Sequence, residues 1–345
     1  MGTITIKDIA KLCGVGVSTV SRAINDHSDI NPETKQKIME VIRENNYIPN
    51  NSARNLKRSD TKTIAVLVKG VDNPFFGKMI RVIEEEIHKK KYSMVVHHVD
   101  SQEDEVVAAL ELEREKKLQG MIFLGGFYGD NSENLAKVKV PAVLVTSAKP
   151  QLEDSEEYSA VSVDDVKESY RMVDYLCKLG HEDVAILTAT MQDKSVGKLR
   201  LQGYLKALKQ HNIKVNENLI KYMKDSEDYS MECGYNLMKE LLDSGEKVSS
   251  VFAISDSLAI GACRAIHDKG LRVPQDIAVA GFDGVDMGAY YTPSITTISQ
   301  PIEEMAREAT QILFNVIKKK TIHTHKFFEG ELLVRESTQS RDSAN

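Results

Sequence analysis

Five side chains near the start of the chain have the types and spacing to read a nucleic acid: Val17, Ser18, Ser21, Arg22 and Asn25. At 3.6 residues per turn they share one face of a helix from about Val17 to Asn25, while Val20, Ala23 and Ile24 turn inward. Arginine can bond the O6 and N7 of guanine bidentately, serine can donate or accept at a base edge, and valine can touch a thymine methyl. The flanking elements are equally legible. Thr5-Ile-Lys-Asp8 has capping-box spacing, with Asp in place of the commoner Glu, and Ile6, Ile9, Ala10 and Cys13 follow at helical intervals. Gly14 ends that helix, and Asn31-Pro-Glu33 starts another, carrying an apolar stripe at Ile38, Val41 and Ile42. Two short helices joined by a glycine-containing turn, with a third closing the core, make a helix-turn-helix unit. The same pattern also describes a generic three-helix bundle with a solvated second helix, and spacing leaves both open.

From residue 63 the pattern changes. Short aliphatic runs at Ile64–Val68, Ser93–Val96, Met121–Leu124 and Ala142–Val145 alternate with helical stretches near 74–91 and 103–117. A second series begins at Ala160–Val163 and continues at Val184–Leu187, Val251–Ile254 and Ile277–Ala280, with helices near 167–179, 197–211, 229–244 and 257–269. Repeated β-α units predict an α/β fold of doubly wound parallel sheets in two similar lobes, with ligands at the carboxyl ends of the strands.

Composition narrows the function. The 345 residues, 41% hydrophobic and 28% charged, have the balance of a soluble globular protein of two or three domains. No apolar run is long enough to span a bilayer, and Met1–Asp8 shows no apolar signal-peptide core, so a cytoplasmic protein without a membrane partner is expected. Cys13, Cys177, Cys233 and Cys263 form no C-x-x-C pair, which predicts reduced thiols and no zinc site. His97 and His98 adjoin in a strand and so point to opposite faces, a poor start for a metal site. The nucleotide, metalloprotease and nucleophile-elbow motifs are missing, and Gly125-Gly126 is too little for a phosphate cradle; neither an enzyme nor a cofactor is expected. The net charge of -6 conceals an asymmetry, because residues 1–60 carry about +2 and the remainder about -8. That suits a small DNA-facing module on an acidic core.

The segment from Ile4 to Asn25, with its core Asp8-Ile-Ala10, Gly14-Val15, Thr19-Val-Ser-Arg22 and Asn25, resembles the N-terminal signature of the lactose-repressor (LacI/GalR) family of bacterial transcription regulators. Asn46-Tyr-Ile-Pro-Asn50 and Ala53-Arg-Asn-Leu56 extend the match. Gly16 departs from the serine usual there, which costs a helix cap only a few tenths of a kcal/mol. Further on, Asp72-Asn-Pro-Phe-Phe76, Leu179-Gly-His181, Arg200-Leu-Gln-Gly-Tyr204, Ser255-Asp256, Leu271–Asp276, Gly281-Phe-Asp283 and Ser294–Pro301 recur in the family's order, so the resemblance spans essentially the whole chain.

The resemblance implies a helix-turn-helix domain at 1–49, a hinge helix and linker at 50–60, and a periplasmic-binding-protein-like core at 61–345. In that core the N-lobe takes about 61–161 plus 292–322 and the C-lobe about 162–291 plus 323–345, with crossings near 161, 291 and 322. Thr5, Val17, Ser18, Thr19, Ser21, Arg22, Asn25 and Asn31 would face DNA from the helical unit. Asn50, Ala53, Arg54, Leu56 and Lys57 would do so from the hinge, with Leu56 as an apolar wedge in the minor groove. By composition alone residues 50–58 are an ordinary polar linker.

Partners would be a near-palindromic double-stranded operator, a second copy of the chain and a small-molecule effector, most naturally a sugar. The effector would lie among Asp72, Phe75, Phe76, Thr146, Arg200, Tyr229, Ser255, Asp256 and Asp283. Carboxylates accept from hydroxyls, arginine donates, and an aromatic face covers a sugar ring. Each has a plainer reading too: Asp256 as a helix cap, Asp283-Gly284 as a turn, Arg200 on a solvated helix face, Phe75 or Phe76 in the core, Tyr229 as a staple. Thr146 stands where several sugar-responsive members place an acid, and Ser255 where some place Asn, so these residues leave sugar, phosphorylated sugar and purine open. A solute-binding protein for transport shares such a core, but needs an export signal and no DNA module.

Overall fold

The computed structural model describes residues 4–24, 29–45, 47, 62–70, 73–100, 103–126, 135–147, 158–224 and 229–338. By its contacts the chain divides into Met1–Thr61 and Lys62–Asn345. The first unit holds α1 (Ile6–Cys13), α2 (Val17–Ile24) and α3 (Pro32–Glu44). The Thr5–Asp8 box is formed in both directions: the Thr5 amide donates to Asp8 Oδ2 at 2.8 Å and the Asp8 amide to Thr5 Oγ1 at 3.4 Å. Gly14 ends α1 at φ +70°, a left-handed conformation open to glycine without steric cost. Asn31 caps α3, accepting from the amides of Glu33 and Thr34. Ile9, Ala10, Cys13, Val20, Ala23, Ile38, Ile42 and Tyr47 bury against one another as its core.

The second unit is built on two six-stranded sheets. The strands are β1 (Thr63–Lys69), β2 (Ser93–Val99), β3 (Leu118–Leu124), β4 (Ala142–Val145), β5 (Ser159–Val163), β6 (Val184–Thr188), β7 (Ile220–Tyr222), β8 (Ser250–Ala253), β9 (Ala278–Asp283), β10 (Thr296–Ser299), β11 (His325–Phe328) and β12 (Glu331–Leu333). One sheet runs β11-β5-β4-β3-β1-β2, all parallel. The other runs β12-β10-β9-β8-β6-β7, parallel except for the antiparallel β10–β12 pair. The helices are α4 (Pro74–Lys89), α5 (Glu105–Glu115), α6 (Asp165–Lys178), α7 (Val196–Gln210), α8 (Met231–Asp243), α9 (Asp256–Asp268), α10 (Asp286–Tyr290) and α11 (Ile302–Ile317). β1 shows why the strands form: Ile64 to Val68 are buried in succession, as in a parallel strand covered on both faces.

The sheet order corrects several sequence expectations. β5 belongs to the first sheet, between β11 and β4, and does not open the second series. β10 stays in the second sheet and β11 returns to the first, so the later crossings fall between β10 and α11 and between β11 and β12, beyond the expected 291 and 322. The cause is pairing: β11 lies beside β5, with His325 opposite Ala160, and β10 beside β9, with Ile298 opposite Phe282. The antiparallel β12 and the short β7 were not expected from the apolar runs. His97 is half-buried and His98 exposed, as alternation requires. The four cysteines are free thiols, and among the described residues no group of His, Cys, Asp or Glu is arranged to hold a metal. No described helix is long and apolar enough to cross a membrane.

Candidate functional site

On α2, Val17, Ser18 and Arg22 are exposed while Val20 and Ala23 are buried, so one face carries the unit's core and the other its polar groups. Thr19 and Ser21 are half-buried between those faces. Arg22 Nη1 lies 3.3 Å from Asp29 Oδ2, and both side chains are more than half exposed. Thr5 and Asn31 have helix-capping jobs, and the Thr5 hydroxyl donates to Asp8 Oδ2 at 2.6 Å. A Cβ at Gly16 would meet only ordinary contacts with Ser18 and Thr19, so the departure from serine leaves the turn intact. Asn25, Asn50, Ala53, Arg54, Leu56, Lys57 and Asp72 lie outside the described residues.

In the second unit, α7 packs on α6 closely enough that a Cβ on Gly203 would lie 2.5 Å from the Val166 carbonyl oxygen. One turn earlier on α7, that approach sets Arg200 against Asp165. Arg200 Nε donates to Asp165 Oδ1 at 2.8 Å, and Nη1 donates to the Ile254 carbonyl at 2.6 Å and to Asp283 Oδ1 at 3.3 Å. The guanidinium also covers the Phe282 ring, 3.8 Å from its centroid. Asp283 adopts φ +106°, a rare conformation for a residue with a side chain. It accepts from Gln300 Nε2 at 2.9 Å and, from the other lobe, from Asn73 Nδ2 at 3.3 Å. Asn73 is bifunctional, since its Oδ1 caps α4 by accepting from the Phe75 amide. Asp256, the first residue of α9, accepts from the Val285 amide at 2.8 Å and so fixes the turn after β9.

The electrostatics follow from burial. Arg200, Asp165, Asp256 and Asp283 are each 4% exposed or less. Desolvation raises the carboxyls of Asp165 and Asp283 against the pull of Arg200. Burial and then the Asp283 charge push Asp256 up to about 7. Burial works against the Arg200 charge, but Asp165 and Asp283 outweigh it and hold the guanidinium ionised. Burial, followed by the charge of Asp193, raises the Tyr229 phenol; Arg200 and Asp283 also act on it, which puts the ring beside this network.

Of the residues singled out in sequence, Arg200, Asp256, Asp283 and Tyr229 come together. Phe75 and Phe76 do not join them through any described hydrogen bond or ring contact. They meet edge to face at 5.3 Å within the core, and Phe76 sits where a Cβ on Gly125 would be 3.1 Å away. Ser255 is the N-cap of α9, its hydroxyl accepting from the Leu258 amide. Thr146 follows β4 in the first sheet at φ +52°, its amide bonded to the Val161 carbonyl. Arg200 lies inside, not on a solvated face. Sequence reasoning passed over Asn73, Asp165, Phe282 and Gln300. Asn73, Phe282 and Gln300 stood inside motifs already marked, whereas Asp165 looked like any acid in a helix's first turn.

Residues 5–50 match the family described as bacterial regulatory proteins, lacI family, and residues 173–338 match the periplasmic binding protein-like domain. The chain is 41% identical to the HTH-type transcriptional regulator MalR of Clostridium butyricum, over 96% of this chain and 98% of that regulator. Among solved structures it resembles the transcriptional regulator CelR–cellobiose complex, with 28% identity, a TM-score of 0.70, and 97% and 99% of the two chains covered. It also resembles a LacI family transcriptional regulator from Enterococcus faecium with bound ribose, with 27% identity and a TM-score of 0.69, over 81% of this chain and 99% of that one. A capped helical unit, two parallel-sheet lobes and likeness along nearly the whole length agree: the chain belongs to the lacI family of bacterial regulatory proteins.

Proposed function

We propose that the protein is a transcriptional repressor whose grip on DNA is set by a sugar held between its two lobes. The observation that carries this reading is the Arg200–Asp283 network, where donors from both lobes converge on one buried carboxylate. A ligand there acts on both lobes at once. The relatives solved with cellobiose and with ribose support a sugar as the effector. Residues 1–49 serve as the DNA-binding domain, 50–60 as the hinge, and 61–345 as the effector-binding and dimerisation core. Two copies place two α2 helices on a near-palindromic duplex, as the geometry of paired helix-turn-helix units requires. Phosphate contacts supply affinity, while Val17, Ser18 and Arg22 supply sequence choice. Effector binding changes the relation of the N-lobes and hence of the hinges, at a coupling of roughly 1–3 kcal/mol. The protein acts in the cytoplasm, catalyses no reaction and needs no membrane.

The test is binding to duplexes selected from a random pool, measured against salt and with or without mono- and disaccharides. Selected duplexes should be near-palindromic, with affinity falling steeply as salt rises and changing severalfold with one sugar. Leu56→Ala should weaken operator binding and leave sugar binding intact. Salt-independent or sequence-indifferent binding overturns the repressor reading, and equal operator affinity in Leu56→Ala removes the hinge.

A further inference from the structure

Every strand of the first sheet runs the same way, so all six begin on one edge. Thr63 of β1 pairs with Ser93 of β2 and with Leu118 of β3, and the Ser93 amide donates to the Lys62 carbonyl at 2.8 Å. α4 and α11 lie side by side and end there too. Tyr92, just past α4, meets Phe314 of α11 edge to face at 4.9 Å, and Lys62 Nζ lies 5.6 Å from the centre of the Tyr92 ring. The connectors that lead from α4, α5 and α11 into β2, β3 and β11 carry Lys90, Lys91, Lys116, Lys117 and Lys318–Lys320, and no carboxylate. The connectors into β6, β8 and β9 of the second sheet carry both signs between them. Apart from Lys117, these lysines and Lys62 are exposed and form no ion pair among the described residues.

Helix ending does not account for this choice of residue. A left-handed residue just past a helix is most often glycine. The chain follows that rule at Gly180, Gly245 and Gly270, behind α6, α8 and α9. Behind α4 and α11 the same position is Lys91 at φ +62° and Lys319 at φ +53°. A side chain there costs about 1–2 kcal/mol that glycine avoids. Both lysines are held on the same edge in spite of that cost, on a unit that otherwise carries an excess of acid. A run of cations without carboxylates fits a polyanion of regular spacing, and duplex DNA presents one negative charge per ~1.7 Å of its axis. The chain enters this unit at Lys62, so Met1–Thr61, and any duplex it holds, is tethered to this edge. We propose that the amino edge of the first sheet is a second DNA-facing surface, which attracts the phosphate backbone beside the bases read by α2 and adds affinity without sequence choice. This rests on the reading of the protein as a DNA-binding repressor.

The experiment is operator binding by the full chain, measured against salt on a duplex selected from a random pool. Lys91→Gly with Lys319→Gly gives both turns the residue their backbone favours, so this variant should melt at or above the wild-type Tm. It should nonetheless bind the operator severalfold more weakly, and the slope of log affinity against log salt should flatten by about 1–2. Lys209→Gln with Lys239→Gln, exposed lysines of α7 and α8, changes the net charge equally on the other sheet's helices and should leave affinity and slope as they were. Wild-type affinity and slope in the glycine pair overturn the inference and leave the repressor reading standing. An equal loss in the control pair assigns the effect to net charge and overturns the inference too. A wild-type chain without salt-dependent binding overturns the repressor reading, and the inference with it. Lys90→Gln with Lys318→Gln decides the matter if the glycine pair does not melt cooperatively.

Discussion

Arg22 and Arg200 anchor the two candidate sites, and their surroundings differ in nearly every respect. Arg22 is more than half exposed and faces an equally exposed Asp29 across 3.3 Å. Such a pair is worth about 0–1 kcal/mol, so Arg22 can trade Asp29 for a base edge at little cost. Arg200 is 4% exposed, shares its donors among two carboxylates and a carbonyl, and lies over an aromatic ring. Nothing there can be exchanged singly, because each partner removed leaves another buried and unsatisfied. One site is a surface whose groups are separable from the fold. The other is a network in which recognition and folding share the same bonds.

The sharpest way to break this contrast is to truncate each arginine. Arg200→Ala strands Asp165 and Asp283 and should cost the core about 3–5 kcal/mol in urea unfolding, together with effector binding. A variant of wild-type stability would show that the network is not a folding element. Arg22→Ala should leave unfolding within about 0.5 kcal/mol of wild type. It should weaken operator binding by about 1–3 kcal/mol and relax selectivity at one base pair, as read by competition between operator variants. A uniform loss across sequences would turn Arg22 into a phosphate contact.

A smaller effect separates the sites by pH. Asp256 titrates near 7 in the folded chain, against about 4 for an unperturbed aspartate, and burial also raises Asp165 and Asp283. A raised carboxyl means that the folded state holds more protons than the unfolded one between about 4 and 7, so stability falls as pH climbs through that window. The core's Tm should therefore be a few degrees lower at pH 8 than at pH 6, and Asp256→Asn should flatten that slope. A slope that persists in the variant would assign it to other groups.

Legibility from sequence divides along the same line. Thr5 and Asp8, Gly14, and Asn31 with Pro32 act within a turn of themselves, so local rules located α1, α2 and α3. Apart from the short β7, the strands up to β9 show as apolar runs for a similar reason. The sheet that receives β10 or β11 depends on partners far away in the chain, and no run of residues carries that information. Arg200 and Asp283 were visible only through their motifs. Asp165 was not, because its role comes from the α6–α7 packing that Gly203 permits. Phe75 and Phe76 suited ring stacking and core filling alike, and only burial decides between them.

The return of β11 to β5 and of β12 to β10 has a consequence for synthesis on the ribosome. Neither sheet gains its last strand until the final residues are made, so neither lobe corresponds to a stretch finished early. Residues Met1–Thr61, by contrast, group as a compact unit in about the first sixth of the chain. At about 5–20 residues per second, some 15–60 s separate the emergence of this unit from the completion of both sheets. During that interval the newborn protein has a reading head and no finished sensor.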